Sequence, residues 1–391
     1  MVSLLHPSFK TVIFRKGSGN PPVAMLTMHK EDDAVTRRLD DLGNTAGRYR
    51  KTIKRKEMTM KTHKNMKWNG PSCPGSALRL AMLVLVAAIF GLTASQAFAG
   101  GRHARKPAFC TTTANDVRRA CRHEAHDDYW IAMGNCRNLS DAGARAVCKK
   151  EALVALKEGK EECREQREAR LDVCKDIGQA PYDPPIDPAL FVDPAQIGTS
   201  VTANPYFPLV RGRTRIYQGG TEHVEVTVTS DTKVIQGVTC AVVRDVVMDN
   251  GEVIEDTKDW FAQDVDGNVW YFGEVVQDFE GGELVSMDGS WTAGVDGAKA
   301  GRIMKAAPAV GDVYRQEFAL GDAEDLAEVL NLTASETVPA ASCNGNCLMT
   351  KDFTPIEPDS FEHKYYAPGV GLILEVHPAT GERLELIEVR N

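Results

Sequence analysis

Six cysteines between residues 110 and 174 constrain the fold more tightly than any other feature of the chain. Cys110, Cys121, Cys136, Cys148, Cys163 and Cys174 are separated by 11, 15, 12, 15 and 11 positions, a palindrome. In an antiparallel hairpin, residues that face each other have position numbers of constant sum. Here 110 with 174, 121 with 163 and 136 with 148 each give 284. Steps of 11 and 15 are close to whole turns at 3.6 residues per turn, so the three cysteines of each helix share one face. The expected structure is two antiparallel helices, over residues 112–137 and 141–177, with the rungs Cys110–Cys174, Cys121–Cys163 and Cys136–Cys148. Six cysteines allow 15 connectivities, and the mirror spacing selects this one. The midpoint falls in Asn138-Leu139-Ser140-Asp141-Ala142-Gly143, where Asn138 or Ser140 is the expected cap of the second helix. That helix is rich in Lys, Arg and Glu and has little apolar surface to bury, so covalent staples suit it. Zinc suits it less, because thiolates 11 to 15 residues apart on rigid helices cannot converge four to a metal.

Disulfides persist in oxidising compartments, and an export signal precedes the ladder. Leu80–Leu92 is an uncharged apolar run behind Arg79, and Ala97-Phe98-Ala99 offers a small-x-small cleavage site before Gly100. The run is shorter than the roughly 20 residues of a membrane span. Residues 1–99 therefore read as an upstream segment plus signal peptide, with Met58, Met60 or Met66 as the expected start. The alternative is an uncleaved anchor helix over 80–99. Without residues 1–99 the chain holds 30 Lys and Arg against 48 Asp and Glu, a net charge of −18. Nucleic acid is a poor partner for such a molecule.

Composition divides the remainder into three parts: a Cys-rich helical hairpin (100–178), a Pro-rich linker or wrapped arm (179–208) and an acidic domain (209–391). The fold class is α+β. In the last part, turn dipeptides separate alternating strands: Asn250-Gly251, Asp266-Gly267, Gly281-Gly282 and Thr380-Gly381. An up-and-down antiparallel meander of about ten strands follows, as a curved sheet, open barrel or sandwich. A weak internal repeat aligns Asp259-Trp260-Phe261-Ala262 and Val269-Trp270-Tyr271-Phe272 with Lys364-Tyr365-Tyr366-Ala367 and Gly371-Leu372-Ile373-Leu374. It also sets Ile216-Tyr217 beside Val313-Tyr314. The stretches DWFAQDVDGNVWYFGE and HKYYAPGVGLILEV resemble a group of uncharacterised exported bacterial proteins, in which a cysteine-bearing helical hairpin precedes a β-domain. That resemblance implies the architecture and carries over no catalytic residue. The YYAPGVGL element is also similar to one in half-barrel envelope proteins of the lipoprotein-carrier type, a likeness of fold alone.

Cys240, Cys343 and Cys347 remain in the acidic domain. A Cys240–Cys347 bond is expected from their comparable places in the two repeats, and a local Cys343–Cys347 loop is the alternative. Asp264, Asp266 and Asn268 have the DxDGN spacing of a calcium loop, but the twelfth position is Val275 rather than Glu, so a plain hairpin turn is expected and Ca2+ is the weaker reading. His123 and Asp127, one helical turn apart, are the other weak metal candidates. Trp260, Trp270, Phe272, Tyr365 and Tyr366 are the residues that could line an apolar cup. No nucleophile elbow, P-loop or dinucleotide fingerprint occurs. The expected function is an exported, non-enzymatic envelope or secreted protein that binds a small lipophilic ligand or an envelope protein and keeps no stable membrane span after cleavage. A purely structural or interaction protein with a filled core is the alternative, and a metal-dependent hydrolase a more distant one.

Overall fold

The computed structural model describes residues 108–391. The expected signal peptide, the candidate start sites and the candidate anchor all lie outside them. Helix α1 spans Phe109–Arg137 and helix α2 spans Ala142–Asp176. The three rungs are Cys110–Cys174, Cys121–Cys163 and Cys136–Cys148, with Cα–Cα separations of 5.7, 5.8 and 5.5 Å. The hairpin is held mainly at its seam. Only Ala114 and Cys136 of α1, and Ala152, Cys163, Arg170, Val173 and Cys174 of α2, are buried. Asp141, rather than Asn138 or Ser140, caps α2: its carboxylate accepts from the Ala144 amide at 2.7 Å. In the Tyr129-Trp130-Ile131 stretch of α1, Trp130 is 59% exposed and does not pack inward. Among the described residues, no helix is long and apolar enough to cross a membrane.

After α2, residues 179–208 run against the β-domain. Phe191 bridges to Asp264, and Ile197 and Phe207 enter the core. The strands are β1 (Thr214–Gly219), β2 (Glu222–Ile235), β3 (Val238–Asp249), β4 (Glu252–Gln263) and β5 (Val269–Val275). Short strands follow at β6 (Asp278–Glu280), β7 (Glu283–Ser286) and β8 (Trp291–Thr292), then β9 (Lys299–Met304), β10 (Val313–Arg315) and β11 (Glu317–Phe318). The second run is β12 (Leu326–Val338), β13 (Ala341–Phe353), β14 (Phe361–Ala367), β15 (Gly371–Val376) and β16 (Arg383–Arg390). The main path through the sheet is β10-β12-β13-β14-β15-β16-β1-β2-β3-β4-β5-β9-β11, with every pair antiparallel. All four expected turn dipeptides connect strands, and Asn250 and Gly251 both take the positive φ of a tight hairpin.

The two edges of this path, β10 and β11, are successive in the chain and separated only by Gln316. The sheet therefore comes round almost to a closed barrel, and its gap is bridged by one continuous backbone. At the bridge the chain passes so close to β9 that a Cβ on Gly301 would lie 2.1 Å from the Gln316 carbonyl oxygen. Only glycine fits there.

The repeat is visible in the ladder registers. Ala241 faces Phe261, which faces Tyr271; in the second half Leu348 faces Tyr366, which faces Leu372. A register shift separates each of the pairs Phe261–Tyr271 and Tyr366–Leu372 from the next inward pair, Asp259 with Glu274 and Lys364 with Glu375. The match weakens at the flanking strands. Arg215 lies opposite Val226, but Tyr314 rather than its neighbour lies opposite Ala327, so Tyr217 and Tyr314 are not in equivalent register.

These registers also correct the expected Cys240–Cys347 bond. Cys240 is equivalent to Cys347, but β3 and β13 lie six strands apart along the sheet. The bond is Cys343–Cys347, and Cys240 is a buried free thiol. Four residues along a regular strand span about 13 Å. Here β13 bulges: Cys347 faces Ala334 and Cys343 faces Glu336, so four residues of β13 match two of β12. The bulge brings the two Cα atoms to 5.4 Å, with Gly345 at φ +70°.

Candidate functional site

The proposed aromatic cup does not form, because strand alternation divides its members between two faces. Phe261, Tyr271 and Tyr366 share the inner face; Trp260, Trp270 and Phe272 lie on the outer face. Phe191 from the arm packs edge-on against Trp270 and Phe272, with ring centroids 6.2 and 5.5 Å apart. Lys233 covers Trp260 at 4.3 Å. Tyr365 is half-buried on its own strand. These rings hold the arm and the core together.

The DxDGN turn is likewise committed to structure. The Asp264 carboxylate accepts from the Asn268 amide at 2.8 Å, Asn268 Nδ2 at 2.9 Å and Trp270 Nε1 at 2.8 Å. Asn268 Oδ1 accepts from the Ala306 amide, and Asp266 faces solvent. His123 and Asp127 are both exposed on α1. Among the described residues, no three His, Cys, Asp or Glu side chains are grouped to hold a metal.

Two constellations escaped the sequence reading. The first is a set of ionisable groups inside the barrel. Lys364 is fully buried, with Nζ 3.3 Å from Glu362, 3.3 Å from Glu375 and 3.8 Å from Asp352. Burial opposes its charge, but these three carboxylates outweigh burial and hold its pKa above the usual lysine value. In the equivalent place of the other half stands Asp259, whose carboxylate accepts from the Tyr271 hydroxyl at 3.0 Å. Burial, reinforced by neighbouring carboxylates, pushes Glu274 and Glu317 well above the carboxylate range. Asp325 is lifted to about 8 by burial, and Glu222 to about 7 by burial and then Glu362.

The second is a cavity of about 210 Å³ at the seam of hairpin and barrel. It opens beside the outermost rung of the ladder, Cys110–Cys174. The start of α1 is pinned there, with the Phe109 amide donating to the Gln179 carbonyl at 3.1 Å. Gln166 Nε2 donates to the Ile356 carbonyl at 3.0 Å and ties α2 to the barrel. Phe109, Ile177, Pro181, Tyr182, Phe318 and Leu320 give the cavity an apolar wall. Phe109 and Leu320 stay 49% and 45% exposed at its rim.

Two arginines line this space. Arg170 is 5% exposed and grips Glu324 through two nitrogens, Nε at 2.9 Å and Nη2 at 2.7 Å. Glu324 also accepts from the Gly321 amide at 2.9 Å. Arg315 is 8% exposed, its Nε and Nη1 are buried with no hydrogen-bond partner, and among the described residues it makes no ion pair. Its guanidinium lies over the Phe318 ring at 4.5 Å and near the Tyr182 ring at 5.6 Å. Those two rings meet edge to face, and the Tyr182 hydroxyl donates to the Ala300 carbonyl at 2.9 Å. Burial draws the Arg315 pKa down while Glu324 draws it up, and arginine remains a cation in either case. Burial also pushes the Tyr182 phenol up to about 12, so it stays neutral. The pocket thus holds two positive groups and one negative group, and the negative one is already bound.

One signal for Arg170 was present in the sequence. It lies seven residues after Cys163 and four before Cys174, on the disulfide face. A charge on the one face that must be buried asks for a partner. Nothing local indicated Glu324, 154 positions away, or Arg315.

The chain matches no family model, no curated protein and no solved structure.

Proposed function

We propose that the protein is an exported, non-enzymatic binding module whose ligand sits at the seam between hairpin and barrel. Arg315 carries this reading: it is a buried cation with no salt bridge among the described residues, reached by Glu324 only at longer range, on the wall of an open apolar cavity. A charge kept out of water without a counter-charge is costly, and a ligand that supplies one turns that cost into affinity. The disulfides support a non-cytoplasmic location. The signal-like segment at 80–99 and the resemblance to exported bacterial proteins support the same reading. The hairpin would then be a stapled wall of the site.

Native mass spectrometry of protein purified from its own source tests this. A small-molecule adduct is expected, and Ala180→Trp, which fills the cavity from its solvent-facing rim, is expected to remove it. An adduct that survives Ala180→Trp, or the absence of any adduct and of any binding from a mixed small-molecule set, counts against the seam.

A second reading, a structural or interaction protein, is favoured by one separate observation. Trp130, Val147, Leu153 and Val154 of the hairpin stay 47–59% exposed, and such apolar surface suits a protein partner.

A further inference from the structure

We infer that the seam cavity is selective for a small organic anion, a carboxylate on a compact apolar body. This rests on the seam being a binding site and adds the chemical class of its ligand. Three observations combine.

The first is charge. The cavity wall carries Arg170, Arg315 and Glu324, and Glu324 is engaged by Arg170 through both of its oxygens. The uncompensated charge is therefore one positive unit on Arg315. A monoanion balances it, a neutral ligand leaves it unpaired, and an ammonium ion adds repulsion. Hydrogen bonds to a charged group are worth about twice a neutral one, so the preference should be steep.

The second is shape and polarity. About 210 Å³ falls below the roughly 300–1,000 Å³ of ordinary ligand pockets. A long acyl chain or a nucleotide is too large for it. Apart from the arginines, Glu324 and Thr113 the lining side chains are mainly apolar, with the Tyr182 hydroxyl committed to Ala300. A bare inorganic anion would meet one cation and leave the apolar wall unused.

The third is preorganisation. Arg315 leaves β10 one residue before the bridge that closes the barrel, and the Phe318 and Tyr182 rings clamp its guanidinium. Its rotamer freedom is already lost before a ligand arrives, so binding forfeits little further entropy.

The test uses the whole mature protein and three probes of nearly one shape: benzoate, benzyl alcohol and benzylamine, with sulfate as the bare anion. Calorimetric titration at pH 7 is expected to rank benzoate first by at least tenfold, with benzylamine and sulfate weakest. Arg315→Met should weaken benzoate at least tenfold and leave benzyl alcohol within about twofold, with Arg315→Lys in between. Benzyl alcohol binding as tightly as benzoate, or Arg315→Met keeping full benzoate affinity, would overturn the anionic class while leaving the seam as a site. Failure of all four probes, with no change on Ala180→Trp, would overturn the site itself. Sulfate binding as tightly as benzoate would also reject the apolar-body requirement. The probe ranking needs no variant, so it stands if Arg315→Met does not fold.

Discussion

The hairpin and the barrel solve the same problem of stability by opposite means. The hairpin buries seven residues along its seam and relies on three covalent rungs. The barrel buries a continuous cluster, from Ile197 to Leu386, built on the inner aromatics Phe261, Tyr271 and Tyr366. It can therefore also bury Lys364 and several carboxylates. A thin interface tolerates no buried charge without an exact partner, so Arg170 reaches out of the hairpin to Glu324. A thick core can hold a charged network and shift its pKa values instead. The two strategies meet at the seam.

Reduction should separate the two regions most sharply. Loops of 64, 42 and 12 residues correspond to about 3–4 kcal/mol per rung in the chain-entropy account. Dithiothreitol is expected to abolish amide-exchange protection across 109–176 while the barrel strands stay protected. Joint loss of protection would show that the hairpin is integral to the barrel.

Next in size is Lys364→Met. Removing the cation from between Glu362, Glu375 and Asp352 leaves buried carboxylates uncompensated, at a cost of about 3–5 kcal/mol. Urea unfolding followed by the buried tryptophans should show that loss, with the hairpin unaffected.

Titration gives a gentler separation. Glu274, Glu317, Asp325 and Glu222 have folded pKa values above their unfolded ones. Unfolded carboxylates ionise near about pH 4, so between there and about 7–8 the folded barrel binds more protons than the unfolded chain. Stability supplied by these groups is complete at low pH, and the share from Glu222 and Asp325 is lost as pH rises through about 7 and about 8. The urea midpoint of the barrel should fall from pH 5.5 to 8.5. A rising midpoint would mean that other groups dominate.

The smallest effect belongs to the hairpin. Asp141→Ala removes the N-cap side chain of α2 and should cost about 1 kcal/mol. The readout is exchange in the first turn of α2, and the barrel should not respond.

The same division governs what was legible in the sequence. The ladder could be read because helical geometry turns residue spacing into facing, and the turns could be read because Asn-Gly and Asp-Gly demand a particular backbone. The repeat was legible at Asp259–Phe261 and Lys364–Tyr366, where the ladder registers coincide, and misleading at Tyr217 and Tyr314, where they do not. Cys343–Cys347, the alternative to the expected pairing, depends on a bulge that no local residue announces except Gly345. The charges of the barrel interior were hidden because alternation alone does not say which face closes on itself. The seam was hidden because its two arginines are 145 positions apart and meet only after the barrel has formed.

The pairing of β1 with β16 sets a timetable for the chain. Thr214 lies opposite Arg390 and Gln218 opposite Glu385, so the first strand of the barrel waits for the barrel's last strand to be made. Until then β1 presents an open edge, the kind of surface on which chains aggregate. Contacts this distant in sequence also form slowly. Loss of β16 would strip a whole stave from the barrel wall and leave open edges on both β1 and β15.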